Sequence, residues 1–378
     1  MCCSCSSTGA SARTGTTSIE RAPHCCWGYR APTTEFAKEQ DMISKTLALM
    51  AAAFALGAVC PAHAKVNVVC SLSTYASLAE EVGGGKVSVS YICKGNEDAH
   101  FVKPKPSYSV AMKNADLLVS TGLDLELWLP SLIDRSGNRN LRSGQKGYVK
   151  AAEGITMLEK PEGRPDRSQG DIHIFGNPHI QTSPLNAKII AGNICIGLKK
   201  VDSGNAAYYE ARLKSFQNRI DEALFGATLT KLLGGDVLTR LLAQHKLHSF
   251  LESKKLTGKL GGWLKEAKPL RGKPLVGYHM NWVYFADVFG LNMVGYIEPK
   301  PGIPPTPAHV NEVIQTVKKY NVKAILTANY FEKSKPEMVA SKTGAKAVIV
   351  PMGVGGAPGV NDYFDLVNCW LKGLRAVM

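Results

Sequence analysis

Short apolar runs spaced for strands alternate with longer runs of helical periodicity twice along this chain, which restricts it to an α/β fold built on parallel sheets. The first set opens with a strand over Val66 to Ser71, a helix over Thr74 to Val82, a turn at Gly83 to Gly85 and a strand over Val87 to Tyr91. That is the order of a βαβ unit. Asp116 to Ser120 follows as a strand and Leu125 to Ile133 as a helix. The second set places strands at Pro274 to Tyr278, Leu291 to Tyr296, Ala324 to Ala328 and Ala347 to Val350, with a last helix from Tyr363. Between the sets, Asp202 and Ser203 offer an N-cap to one long helix whose Tyr208, Tyr209, Leu213, Phe216, Ile220 and Leu224 recur every three or four positions. Residues 226–268 are leucine-rich and interrupted by Gly234-Gly235 and Gly261-Gly262, which predicts short helices packed on the second set. The predicted organisation is an N-terminal α/β lobe over 65–201, a connecting helix over 202–225, a helical insertion over 226–268 and a C-terminal α/β lobe over 269–378.

Upstream, Lys45 precedes the apolar run Leu47 to Val59 and then Ala62-His63-Ala64. This is the pattern of a secretory signal peptide over 42–64, cut before Lys65, and it predicts a periplasmic protein. The run falls short of the ~20 residues that a spanning helix needs. Val59 is bulky where a lipid-attachment signal at Cys60 wants a small residue. Residues 1–41 hold five cysteines in low-complexity Ser/Thr sequence ahead of the signal, and are read as a non-native N-terminal extension. The exported part keeps only Cys70, Cys93, Cys195 and Cys369, too sparse for a disulfide scaffold, so buried thiols are expected. Lys and Arg total 45 against 31 Asp and Glu, a formal +14. The excess is scattered, as at Lys199-Lys200, Lys254-Lys255 and Lys318-Lys319, without the aromatic-studded stripe of a nucleic-acid groove, and no nucleic-acid partner is predicted.

Histidine carries the chemistry. His100 lies in Glu97-Asp98-Ala99-His100-Phe101-Val102-Lys103-Pro104-Lys105-Pro106-Ser107, directly after a predicted strand and stiffened by two prolines. His179 ends the rigid turn Gly176-Asn177-Pro178-His179, and His279 follows the strand that opens the second set. The carboxyl edge of a parallel sheet is where ligands bind, so two loops from one lobe and one from the other would meet in a cleft. Three neutral imidazoles suit Zn²⁺, which takes nitrogen at ~2.0–2.1 Å in a tetrahedron, whereas Mg²⁺ and Ca²⁺ want oxygen. The histidines are 79 and 100 residues apart, so no compact motif supports them. Three histidines and a water also describe a secreted zinc hydrolase, but no HExxH helix, G-x-S-x-G elbow or base accompanies them, and no catalytic residue is assigned. His245 and His248 read as a solvated helix face, and Gly353 to Gly359, lacking the Walker lysine, as a flexible turn.

Asp98-Ala99-His100 with Pro104, Pro106 and Ser107, then Ala115-Asp116-Leu117-Leu118-Val119 and Gly122-Leu123-Asp124-Leu125-Glu126-Leu127-Trp128-Leu129, form one recognisable set. Gly176-Asn177-Pro178-His179 with Pro184 and Asn186 forms a second, and Tyr278-His279 with Tyr284-Phe285-Ala286, Phe289-Gly290-Leu291, Glu298-Pro299 and Pro307 a third. With these the chain resembles the periplasmic metal-binding receptors of ABC importers, the zinc and manganese type of the cluster A-I solute-binding proteins. The resemblance covers 65–378 apart from 226–268. It implies two lobes, each with a parallel four-stranded sheet and flanking helices, joined by one long rigid helix. It also implies a monomer that is not an enzyme, takes Zn²⁺ as transported ligand through His100, His179 and His279, and delivers it to a membrane permease. Members selecting Mn²⁺ tend to place a carboxylate where His279 stands, so zinc is favoured over manganese or iron. The family's usual carboxylate after the last strand is replaced here by Pro351-Met352-Gly353, which leaves Asp98, Glu332, Asp362, His173 or a water to complete the tetrahedron. Gln181, Thr182 and Ser183 stand where aromatic and acidic residues are usual, and Pro161 to Asp171 is short and free of histidine, so no metal-collecting loop is expected.

Overall fold

Leu117–Ser120 and Ala324–Ala328 are buried at every residue, the mark of strands covered on both faces. They are central strands of two sheets in the computed structural model, which describes residues 42, 44–46, 64–161, 173–300 and 302–378. The extension over 1–41, nearly all of the signal segment 42–64 and most of Pro161 to Asp171 lie outside the described residues. Of residues 1–62, the described ones are helical. Residues 63–378 form one unit, and among the described residues no helix is long and apolar enough to cross a membrane.

The first sheet is β1 (Val66–Leu72), β2 (Val87–Cys93), β3 (Leu117–Ser120) and β4 (Tyr148–Lys150), all parallel in the order β2-β1-β3-β4. The second is β5 (Pro274–Gly277), β6 (Asn292–Tyr296), β7 (Ala324–Ala328) and β8 (Lys346–Val350), all parallel in the order β6-β5-β7-β8. The alternation predicts two parallel sheets, with three of the four strands of the first, and the resemblance implies four strands in each. In each sheet the strand order reverses beside the first strand, so loops leaving the carboxyl edge diverge there and open a crevice.

Among the described residues from 64 to 225 the α-helices are α1 (Ser73–Gly83), α2 (Pro106–Lys113), α3 (Leu129–Ser136), α4 (Pro184–Val201) and α5 (Ala206–Phe225). Helix α4 has no counterpart in the sequence reading, although Ser183 caps it by accepting from the Asn186 N–H and Pro184 stands in its first turn. The long helix α5 starts at Ala206, four residues beyond Asp202, because the Asp202 carboxylate is taken by the Tyr209 hydroxyl and the Asn205 amide and does not cap the first turn.

Residues 226–268 fold as α6 (Ala227–Leu233), α7 (Gly235–Ala243), α8 (Leu247–Ser253) and α9 (Gly262–Glu266). They pack on α5 as well as on the second half. Thr239 of α7 joins the buried ion pair between Lys188 of α4 and Asp221 of α5, 2.6 Å apart. Trp263 of α9 donates to Asn368 in the last helix at 2.7 Å. Helices α10 (Val283–Phe289), α11 (Pro307–Lys319), α12 (Ser334–Thr343) and α13 (Tyr363–Arg375) complete the second half. The four cysteines of this unit are free, and burial pushes the Cys70 thiol up from its ordinary value.

One apolar core runs without a break from Val68 and Leu117, through Ile190, Phe216 and Leu224, to Trp282, Leu326 and Trp370. A shared core fixes the two sheets relative to each other in a way that a thin linker would not. A backbone contact at the crevice adds to it. The Gly353 N–H donates to the Gly95 carbonyl at 3.0 Å, and a Cβ at Gly95 would lie 2.4 Å from the carbonyl oxygens of both Gly353 and Val354. The glycine-rich loop after β8, read from sequence as a flexible turn, is thus a close-fitting joint between the halves, and it needs glycine at both surfaces. Gly95→Ala should therefore cost about 1–3 kcal/mol through overpacking, seen as a lower thermal midpoint. Gly85→Ala, where an added Cβ meets nothing within 4 Å, should leave the midpoint unchanged.

Candidate metal centre

Each of the three predicted histidines is held by a neighbour close to it in its own half of the chain. After β2, the Asp98 carboxylate accepts from the His100 backbone N–H at 3.0 Å, which caps a single helical turn, and from its ring Nδ1 at 2.7 Å. The Trp128 indole donates to the Ala99 carbonyl at 2.7 Å and ties that turn to the start of α3. Burial pushes the Asp98 carboxyl up, but the hydrogen bonds and charge of His100 outweigh it and leave the group below the ordinary carboxylate value. An ionised carboxylate only accepts, so the His100 proton belongs on Nδ1 and the lone pair on Nε2.

Asn177 treats His179 the same way. Its Oδ1 accepts from the His179 N–H at 3.0 Å and from Nδ1 at 2.9 Å. Its amide donates to Glu159 at 2.8 Å and to the Met280 carbonyl, and its own carbonyl accepts from the Tyr284 hydroxyl at 2.7 Å. The turn carrying His179 is thus gripped by the residues around His279. His279 follows β5, and its Nδ1 pairs with Glu298 Oε2 in the loop after β6. Glu298 is held in turn by the Gly302 N–H at 3.0 Å.

With every Nδ1 occupied, the Nε2 atoms converge. Ring centroids are 5.2 Å apart for His100 and His179, 5.3 Å for His100 and His279, and 5.1 Å for His179 and His279. One ligand atom from each of the three lies within 4.8 Å of the others. Nε2 of His179 and of His279 is buried and has no hydrogen-bond partner. Burying such acceptors unpaired costs free energy unless a cation is to be bound. Burial holds His179 well below its ordinary imidazole value, helped by the His279, His100 and His173 rings. Burial also lowers His279, with the Glu298 hydrogen bond opposing it in part. Both rings are therefore neutral near pH 7, the state in which imidazole ligates metal.

The other residues weighed from sequence fall in different places. His173 joins the cluster, its ring centroid 5.2 Å from that of His100 and 5.8 Å from that of His179. Asp98 stands behind His100 as described. Glu332 accepts from the Ser334 hydroxyl, and Asp362 caps α13 by accepting from the Asp365 N–H at 2.8 Å. Met352, where the resemblance leads one to look for a carboxylate, lines the cleft beside His100, His179, Tyr330 and Gln181. The Gln181 carbonyl accepts from the Tyr363 hydroxyl at 3.0 Å, and the Thr182 hydroxyl donates to the His179 carbonyl at 2.9 Å. His245 pairs with Asp287 at 3.5 Å on an exposed surface. Sequence reasoning did not pick out Asn177, Glu298 and Asp124 as the groups that orient the rings. Only Asn177 leaves a local trace, an amide two residues before a histidine across a proline.

Removing the group behind a ligating imidazole typically costs 10–100-fold in metal affinity. Glu298→Ala should weaken Zn²⁺ binding by about that factor in a calorimetric titration, with the fold retained by circular dichroism.

The sequence profile of the family described as zinc-uptake complex component A, periplasmic, matches residues 68–225 and 253–377. The stretch it passes over falls within the leucine-rich insertion. A high-affinity zinc uptake system protein of Bacillus subtilis is 23% identical over 289 residues, covering 76% of this chain and 78% of the relative. A manganese ABC transporter substrate-binding lipoprotein of Streptococcus mitis is 26% identical over 162 residues, covering 42% of this chain and 49% of the relative. The crystal structure of a protein named ZnuA superposes with a TM-score of 0.61 at 22% identity, covering 83% of this chain and 99% of that one. At that identity the superposition speaks to the fold, and the profile match, spread over both halves, speaks to descent. This chain belongs to the zinc-uptake complex component A family of periplasmic proteins.

Proposed function

We propose that this protein captures Zn²⁺ in the periplasm through His100, His179 and His279 and delivers it to the membrane permease of an ABC importer. The observation that carries the reading is the set of converging Nε2 atoms, two of them buried without a partner, with each Nδ1 already committed to an acceptor. Nitrogen donors in a preset cluster suit Zn²⁺ better than Mn²⁺, which favours carboxylate and water oxygen. The acids nearest the rings, Asp98 and Glu298, sit behind them on Nδ1, so they orient ligands and do not face the centre as a base would. In this reading the protein binds without turnover, and the metal is cargo.

In this reading residues 42–64 direct export, 1–41 play no part, and the working chain is a monomer of two lobes, 65–201 and 269–378, joined by 202–225 with 226–268 packed alongside. Delivery requires that docking on the permease favour a lobe geometry that holds the ion less well, since a partner shifts only states that it binds differently. The contacts that join the halves at the cleft are the Gly353 N–H on the Gly95 carbonyl, the Asn177 amide on the Met280 carbonyl and the Tyr284 hydroxyl on the Asn177 carbonyl.

The reading is tested by metal analysis and calorimetric Zn²⁺ titration of the purified protein beside a triple variant carrying His100→Ala, His179→Ala and His279→Ala. One tightly bound zinc per chain, lost in the variant, is expected. Equal binding by both proteins, or none by either, would overturn the three-histidine reading.

A further inference from the structure

The three imidazoles leave one corner of a zinc tetrahedron to be filled, and a fourth imidazole stands beside them, its ring centroid 5.2 Å from that of His100 and 5.8 Å from that of His179. His173 is buried, and its Nδ1 lies 3.2 Å from Asp124 Oδ1. The other oxygen of that carboxylate accepts from the Ile174 N–H at 3.0 Å, which fixes the carboxylate against the histidine's own backbone. Asp124 belongs to the Gly122 to Leu129 segment, whose Glu126 accepts from Ser71 and Thr121 and whose Trp128 anchors the His100 turn. His173 is therefore oriented as the other three are, by an acceptor on Nδ1 that turns Nε2 away.

That Nε2 lies 3.2 Å from Nε2 of His100. With each Nδ1 turned to a carboxylate, the two rings in their neutral form would face one another with Nε2 lone pairs, an arrangement that a shared cation favours. Ligands at ~2.0–2.1 Å on a tetrahedral ion are about 3.3 Å apart, close to the observed separation. We infer that His173 is the fourth ligand, and that the centre holds zinc through four imidazole Nε2 atoms with neither carboxylate nor water in the coordination sphere. The inference rests on the three-histidine reading and adds a specificity device to it. An all-imidazole shell disfavours Mn²⁺, which wants oxygen, more strongly than three imidazoles with a carboxylate would. Zn²⁺ brings its two positive charges to a site with three carboxylates, Asp98, Asp124 and Glu298, behind the rings.

X-ray absorption at the zinc edge on the loaded protein should show four imidazole ligands. In His173→Ala it should show three imidazoles and an oxygen, with Zn²⁺ affinity in a competition titration lower by roughly 10–100-fold. His173→Cys loaded with Co²⁺ should display a thiolate-to-metal charge-transfer band in the near ultraviolet, a signature that loss of a merely structural residue would not give. The thermal midpoint of the metal-free variants should match that of the metal-free parent. An unchanged coordination number of nitrogen and affinity within about twofold in His173→Ala, or no charge-transfer band in His173→Cys, would overturn the assignment. His179→Ala measured alongside separates the two levels: if it abolishes binding while His173→Ala does not, only the fourth ligand falls. If neither matters, the centre itself has been misread.

Discussion

The arrangement at the cleft depends on one repeated interaction, a hydrogen bond from an imidazole Nδ1 to an acceptor a short way along the chain or in the next loop. Asp98, Asn177 and Glu298 each play that part, and each is itself held by backbone or side-chain donors. The bond fixes ring angle and tautomer together, so the remaining nitrogen can only point inward with its lone pair. Without it, buried imidazoles would turn to satisfy themselves elsewhere, and the orphaned nitrogens of His179 and His279 would find partners. The arrangement leaves two buried nitrogens unpaired, a desolvation cost that a cation bound as proposed would offset.

The fold makes such convergence geometrically possible. Two sheets present their carboxyl edges to one another, and the continuous core through α4, α5 and α13 keeps them there. Loops from separate sheets can then meet to within hydrogen-bonding distance, as Asn177 and Met280 do. The buried pair of Lys188 and Asp221, joined by Thr239 of the insertion, ties α4 to α5. Breaking one member would strand a buried charge, whereas the pair as a whole adds little net stability.

Much of this was legible in the sequence, for physical reasons that can be named. Buried parallel strands such as Ala324–Ala328 read as short, largely apolar runs, and seven of the eight strands carry a run that the sequence marks. The loops bearing His100 and His179 were marked by prolines that stiffen them. What escaped had a short or blurred local signal. Strand β4 is three residues long and owes its existence to pairing with β3. Helix α4 contains Gly192 and Gly197, which blur its periodicity, and Gly197 is there because a Cβ would strike the Val149 side chain at 2.2 Å. Asp202 looked like a cap because sequence shows the residue and not the Tyr209 hydroxyl that claims it. Among the residues weighed to complete the tetrahedron, Asp98, Glu332, Asp362 and His173 are equivalent on paper. Only tertiary structure separates a carboxylate behind a ring, a loop pair and a helix cap from a side chain that joins the cluster.

The most direct test is diffraction from zinc-loaded crystals, with anomalous differences collected on either side of the zinc edge. The account predicts a single strong peak bonded to Nε2 of His100, His179 and His279, with Nδ1 of each ring still on Asp98, Asn177 and Glu298. A peak bound through an Nδ1 atom, a peak elsewhere on the chain, or no peak at the cleft would contradict it.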